Sequence, residues 1–502
     1  MRLITLCCVI QVSTVGARCR FALDSTCASL MQDPTSFLLQ YATAQASFHA
    51  DGVGLDAASG LTFDGHALSW QTGELLPGGL HAFSAASKEA IHTSLLALAL
   101  RNNSVAIAAM GGYTAALQVA RAKQASYAAF NATLPGYGCH LPWFSVPSMA
   151  PVADWAHPAR VPALDNGELA WGVFALAAAL EDAGEGALAS LWGDWFSCMA
   201  RNAAQMFYQG EGRVAAVAAV RDPWQPPSNN TYAPSGGALL EDPYEGELFT
   251  VLLDLFSALP PADKGALWEV KRPRLLPAVY ASPSANASIT AQVGFWFSAH
   301  ENWKIAMLPY LELPTASAVL QNCERARTWQ AVDARRPGLL ASTTDLATQA
   351  RPIPAAYISA AGIEQLGTQP PPYREDVLPP YGAWLTLLVN KSVGACWLRN
   401  VLAAPRAQGP FGASEAVAAN GTLFSPLATW DTTMTVVLAA AGGVGVQNGA
   451  RLRQQGLFAR FSDIVEAQYS AAFPEVVGGS AGFGLPAVAI PPDALQPWST
   501  CT

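Results

Sequence analysis

Apolar residues three or four positions apart dominate the chain and mark most of its long segments as helical. One run opens at Ser87-Lys88-Glu89 and continues to Leu100; another, rich in alanine, spans 112–130. Segments 166–181 and 187–208 form a pair separated by Gly184-Glu185-Gly186, and 245–259 stops at Pro260-Pro261. The same period recurs over 316–331, 383–388, 395–403, 432–441 and 452–472. Strand signals are few. Segment 214–220 has a suitable length but too many alanines. Between the helices lie loops dense in Pro, Gly and aromatic residues, at 134–164, 222–244, 273–299 and 366–382. Loops of that length in a compact fold usually carry function. There is no Ser/Gly linker, charge block or internal repeat. Helices that alternate with long loops predict an all-α fold, an α/α barrel in which inner and outer helices alternate and the loops of one face build a cleft. A large irregular helical bundle is the alternative.

Composition sharpens this picture. Of 502 residues 51% are apolar and only 13% charged, against roughly 25% charged in an ordinary soluble domain. That excludes a disordered chain, which needs low hydrophobicity and high charge, and a coiled coil. A net charge of −9 with 28 basic residues argues against nucleic acid as a partner. No uncharged apolar run of 18 residues is present after the N-terminal segment, so no membrane span is expected.

The N-terminus begins Met1-Arg2, continues through an apolar run from Leu3 to Ile10, and reaches small residues at Val15-Gly16-Ala17. This order reads as a secretory signal peptide over 1–17. Six N-x-[ST] sequons, at Asn102, Asn131, Asn229, Asn286, Asn390 and Asn420, fit passage through the secretory pathway. The mature chain keeps seven cysteines; some should pair, and an odd count leaves at least one over. None has metal-ligand spacing, and no cofactor fingerprint is present, so neither metal nor cofactor is expected. The expected organisation is a signal peptide, a barrel over 18–475 and a Gly/Pro-rich tail over 476–502, acting as a monomer.

Acids and aromatics collect in the loops of this charge-poor chain. Leu164-Asp165-Asn166-Gly167-Glu168-Leu169-Ala170-Trp171 offers two carboxylates and an indole at one mouth of the barrel; Asp165 and Glu168 also fit a helix cap. Glu241-Asp242-Pro243-Tyr244-Glu245-Gly246-Glu247 places four carboxylates in seven residues. A carboxyl beside apolar residues holds its proton to higher pH and can act as a general acid, while acids at a helix start also complement its dipole. His300-Glu301-Asn302-Trp303-Lys304 is a polar binding loop rather than a metal motif, because it lacks a second His. Tyr373 lies in a further aromatic cluster, and Asp431 stands alone in Trp430-Asp431-Thr432. The string Gly478-Gly479-Ser480-Ala481-Gly482 lacks the strand and helix that a nucleophile elbow needs. What is left is acid–base chemistry by paired carboxylates, the toolkit for glycosidic bonds.

Several strings recur in a familiar order: Leu61-Thr62-Phe63-Asp64-Gly65, Ala86-Ser87-Lys88-Glu89, Pro135-Gly136-Tyr137-Gly138 with Leu141-Pro142-Trp143-Phe144, Leu164-Asp165-Asn166-Gly167, Asp242-Pro243-Tyr244-Glu245-Gly246-Glu247 and His300-Glu301-Asn302-Trp303-Lys304. Together they resemble the eukaryotic secreted endo-β-1,2-glucanases, glycoside hydrolase family 162, over residues 35–475. The resemblance implies an (α/α)6 six-hairpin barrel and inverting endo-cleavage of linear β-1,2-glucan. It implies a Glu acid and an Asp base. The matching positions are Glu247 and Asp431, with Glu245 as the alternative acid. It also implies that the acid reaches the leaving oxygen through a substrate hydroxyl, and the base its water through a relay. Asp165, Glu168, Trp171, Tyr244, Glu245, His300, Glu301, Trp303 and Tyr373 are the candidate glucan-binding residues. A hydrolase or transglycosylase on another β-glucan, and a non-catalytic carbohydrate-binding relative, are the competing readings.

Overall fold

The computed structural model describes residues 19–153, 160–352, 357–358, 361–370 and 374–501. The expected signal peptide and Tyr373 lie outside these residues. Sixteen α-helices occur among those described: α1 (Cys27–Gln32), α2 (Thr35–Gln45), α3 (Ala86–Leu100), α4 (Ser104–Ala109), α5 (Tyr113–Thr133), α6 (Ala163–Asp182), α7 (Gly186–Phe207), α8 (Glu247–Phe256), α9 (Pro261–Lys271), α10 (Lys304–Met307), α11 (Pro314–Asp333), α12 (Trp384–Val389), α13 (Lys391–Leu402), α14 (Thr435–Ala440), α15 (Gly445–Gln454) and α16 (Phe458–Ala472). The expected continuous helix over 452–472 is two helices, because Gly456 turns the chain with φ +70°.

Six helices close a ring: α3 packs on α6, α6 on α8, α8 on α10, α10 on α12, α12 on α14, and α14 back on α3. A second set lies outside, with α5 against α3, α7 against α6, α9 against α8 and α13 against α12. Burial follows this arrangement. In α6 nearly every residue from Asn166 to Leu180 is buried, because ring neighbours and an outer helix cover it on all sides. Outer helix α7 instead buries one stripe, through Leu188, Trp192, Trp195, Met199, Ala203 and Met206. Close approach in the ring depends on Gly172: a Cβ there would lie 2.4 Å from Thr93 Oγ1 and 2.8 Å from the Ala90 carbonyl of α3.

The purely helical expectation needs correction. Eight two- or three-stranded sheets lie in the connections of the described residues. Their strands are mostly two to four residues long, too short for a period-two pattern to show. They satisfy backbone groups that long loops would otherwise leave unpaired. Val217–Val220, within the segment judged too alanine-rich, pairs antiparallel with both Arg160–Pro162 and Tyr232–Pro234. Leu427–Thr429 pairs with Gly65–Leu68, which pairs in turn with Leu75–His81.

Residues after Val476 run along the outside of the helices. Arg325 donates to the carbonyls of Ala481 and Gly479, the Trp329 indole to Gly482 and the Trp397 indole to Gly484. Near the C-terminus Trp498 is buried against Phe424 and donates to the Trp70 carbonyl. Three disulfides form, Cys19–Cys501, Cys27–Cys396 and Cys139–Cys198, leaving Cys323 as a buried thiol.

Candidate active site

At the loop end of the ring a cavity of about 220 Å³ is lined by Ser87, Lys88, Trp143, Leu164, Asp165, Glu168, Glu245, His300, Trp303, Ser342, Tyr357, Tyr381, Asp431 and Thr432. Nine separate stretches of chain therefore converge, each presented by the start of one of the six ring helices or by the loop ahead of it. Strand Arg160–Pro162 runs directly into α6, whose first turn carries Asp165 and, one turn on, Glu168. The expected cap role fails for Asp165: Pro162 occupies the cap position, and Asp165 sits inside the helix. Spacing of three residues puts Asp165 and Glu168 on one helix face.

Asp431 is positioned by the sheet that joins its loop to Gly65–Leu68. Thr429 pairs with Gly65, and the Trp430 N–H donates to the Asp64 carbonyl at 3.1 Å. A π-helical turn, Trp430–Met434, follows and is capped by Thr429 rather than Asp431. The freed Asp431 carboxylate takes Lys88 Nζ at 2.7 Å. Lys88 also lies 3.5 Å from Asp64, whose other oxygen accepts His81 Nδ1 at 3.0 Å. Burial pushes Asp64 up, but Lys88 and His81 outweigh it and hold the carboxyl below its usual range.

At the opposite wall the turn before α8 is tied by Asp242, whose Oδ1 accepts the N–H groups of Tyr244 and Gly246 at 3.1 and 3.0 Å. Gly246 is required there, since a Cβ would meet Asp242 Oδ2 at 2.0 Å. The turn leaves Glu245 ahead of the helix, half-buried and facing the cavity. Glu247 is different. It is 1% exposed, does not line the cavity, and is salt-bridged to the buried Lys304, which also donates to Tyr469 Oη at 2.9 Å. The expectation for Glu247 is therefore corrected: one helical step past the turn, its side chain enters the core instead of the cleft.

The carboxyls of this wall hold their protons strongly. Burial, then the charges of Glu168, Asp242, Asp165 and Glu301, push Glu245 well above the usual carboxylic range. Glu168, 1% exposed with Oε2 lacking a hydrogen-bond partner, is pushed up by burial and by Asp165 and Asp431. Asp165 rises to about 6 through burial, partly offset by Lys88. Asp431 thus bears on Asp165 and Glu168, and these bear on Glu245, so the four acids span the cavity in that sequence.

The other sequence candidates divide. His300 and Trp303 line the cavity; His300 Nδ1 meets Ser298 Oγ at 2.5 Å and Ser342 Oγ at 2.9 Å, and burial keeps its ring neutral to about 4. Trp171 is a core residue, fully buried, donating to the Leu248 carbonyl at 3.0 Å; a continuously apolar ring helix gives its indole no route to the mouth. Tyr244 donates to the Val293 carbonyl and faces a neighbouring cavity instead. Glu301 is a backbone clamp, accepting N–H groups from Phe295, Trp296 and Ser298. Lys88, Trp143, Ser342, Tyr357, Tyr381 and Thr432 were not anticipated. A signal existed for Lys88, a lone lysine in an apolar helix, for Trp143, in an aromatic string, for Thr432, beside Asp431, and for Tyr381, in the aromatic cluster that follows Tyr373. Among the described residues no group of three or more potential ligands could hold a metal ion.

The family described as endo-β-1,2-glucanase SGL matches residues 61–502. The endo-β-1,2-glucanase of Talaromyces funiculosus, solved with sophorose, is 36% identical over 96% of this chain and 99% of its own, with a TM-score of 0.92. A mutant of that enzyme, solved with β-1,2-glucan, is 35% identical over 97% of this chain and 100% of its own, with a TM-score of 0.91. The endo-β-1,2-glucanase of Chitinophaga pinensis, at 10% identity over 89% of this chain and 98% of its own, shares the fold, with a TM-score of 0.54. No curated protein sequence matches the chain. With the family match running through every loop that builds the cleft, the chain belongs to the endo-β-1,2-glucanase family of glycoside hydrolases.

Proposed function

We propose that this enzyme cleaves linear β-1,2-glucan internally, with Glu245 as general acid and Asp431 as general base. The observation that carries the assignment is the contrast across one cavity. Glu245 sits among acids and holds its proton, as an acid catalyst must at neutral pH. Asp431 sits at the other end, solvent-reached with 43% of its side chain exposed and salt-bridged to Lys88. Such a pair suits inversion, in which the acid protonates the leaving oxygen while the base activates water on the opposite face of the sugar. Between them Asp165 and Glu168 offer acceptors or donors for sugar hydroxyls. Trp143, Trp303, Tyr357 and Tyr381 offer aromatic faces.

The closed ring of six helices with outer partners supports reading the fold as an (α/α)6 six-hairpin toroid. Sequons on exposed Asn102, Asn229, Asn286 and Asn420, three disulfides and the N-terminal pattern support secretion. A reducing-end assay on linear β-1,2-, β-1,3- and β-1,4-glucans, with product sizes followed over time, tests the function. Internal cutting of the β-1,2 polymer alone is expected, with the α-anomer formed first by NMR. Release of only terminal sugars, or preference for another linkage, would overturn the reading.

A further inference from the structure

A second cavity, of about 390 Å³, lies on the far side of the turn that carries Glu245. Its lining includes Asp242, Pro243 and Tyr244, so residues 242–245 form a wall with one cavity on each side. Opposite stands Phe295, whose side chain is 43% exposed although it is large and apolar. That exposure is imposed by the backbone. Glu301, buried, accepts the N–H groups of Phe295 and Trp296 at 2.8 and 2.9 Å and fixes the turn. Thr368 and Gln369, which also line the cavity, are clamped to the same turn by N–H bonds of 2.9 Å to the carbonyls of Gly294 and Phe295. The rim carries Arg274, salt-bridged to Glu241.

Aromatic rings connect the two cavities. His300 lines the catalytic one; its ring lies 5.7 Å from Trp296, and Trp296 lies 4.4 Å from Phe295. A rigidly held, exposed aromatic face flanked by hydroxyl, amide and charged groups is the chemistry that binds a sugar ring: its C–H surface stacks, and its hydroxyls take the polar partners. A peptide strand would instead need a row of free backbone groups along the rim, and this turn spends its own on Glu301 and on the 367–369 loop.

We propose that this second cavity is a distal subsite of the cleft, holding a glucan chain several sugar units from the bond being cut, with Phe295 as its platform. The inference rests on the functional reading above and adds a chain-length preference to it. Because the wall between the cavities is the turn that places Glu245, a chain seated at Phe295 steadies the acid. Longer chains are therefore cut faster than their extra binding alone requires.

The test compares kcat/KM for polymeric β-1,2-glucan with that for the shortest β-1,2-oligosaccharide the enzyme cuts. In Phe295→Ala the polymer-to-oligomer ratio falls about tenfold, the effect of ~1.4 kcal/mol, and Phe295→Tyr restores it. Melting temperature stays within a degree or two, as an exposed side chain requires. A ratio unchanged in Phe295→Ala, with the fold intact, overturns the subsite. Retardation in gels containing β-1,2-glucan separates this outcome from a failure of the functional reading, since it needs no turnover. Wild type must be slowed more than Phe295→Ala, and equal mobility overturns the proposal.

Discussion

Two glutamates separated by one glycine make the sharpest test of the catalytic assignment. Replacing Glu245 by Gln keeps shape and hydrogen bonding but removes the exchangeable proton. General acid help is typically worth 10²–10⁴-fold, so the variant loses about 3–5 kcal/mol of transition-state stabilisation at 1.36 kcal/mol per decade. Its stability moves the other way. A carboxyl whose folded pKa is raised is stable in the fold while protonated, and it loses that contribution as pH rises from its unfolded value through its folded one. Glu245→Gln is spared that loss and melts at or above wild type at pH 7 and higher. Glu247→Gln behaves oppositely, because it strips the partner from Lys304 in the core. An uncompensated buried charge costs about 3–5 kcal/mol. With ~2 cal/mol/K of unfolding entropy per residue, that lowers Tm by roughly 3–5 °C in a chain of 502 residues. Both variants are assayed by initial rate on β-1,2-glucan well below their melting temperatures and by calorimetric scans from pH 5 to 8. An active Glu245→Gln, or an inactive Glu247→Gln of unchanged Tm, refutes the reasoning and moves the acid one step into the helix.

Asp431→Asn is expected to cost at least about 100-fold in kcat with little change in Tm, since it caps no helix and the buried Lys88 keeps Asp64 as a partner at 3.5 Å; normal turnover would remove it as the base. Glu168→Gln removes the carboxyl that competes with Glu245 for ionisation, so Glu245 loses its proton more readily and the alkaline limb of the kcat/KM profile shifts to lower pH; an unmoved limb would show that Glu168 does not act on the acid. Treatment of protein secreted from a eukaryotic host with an N-glycosidase should lower its apparent mass, because four sequon asparagines are exposed; constant mass would deny glycosylation.

Much of this was legible in the sequence because the physics was local. The ring helices α3 and α6 carry their helical period and all-round apolar character in sequence, and their ends fall within three residues of where periodicity puts them. The loops that build the cleft announced themselves by concentrating scarce acids and aromatics. Asp165, Glu168, Glu245, His300, Trp303 and Asp431 do come together. What was illegible is direction. The turn tied by Asp242 aims Glu245 at the cavity, while Glu247, the first residue of α8, meets Lys304, fifty-seven residues away in sequence. Trp171 shares a string with Asp165, yet two turns of α6 carry it into the core. The salt bridge between Lys88 and Asp431 depends on pairing Thr429 with Gly65, a contact spanning most of the chain that no local pattern encodes.

The bond between Cys19 and Cys501 has a topological consequence. It turns the polypeptide between those residues into a covalent ring, bridged internally by Cys27–Cys396 and Cys139–Cys198. In the chain-entropy model, a ring of this size denies the unfolded state about 6 kcal/mol worth of freedom. A protease that cuts one exposed loop opens the ring but releases nothing: both new ends remain attached through the paired cysteines. Two cuts, or a cut and a reductant, are needed before any piece can leave. Such closure makes a single nick a survivable event.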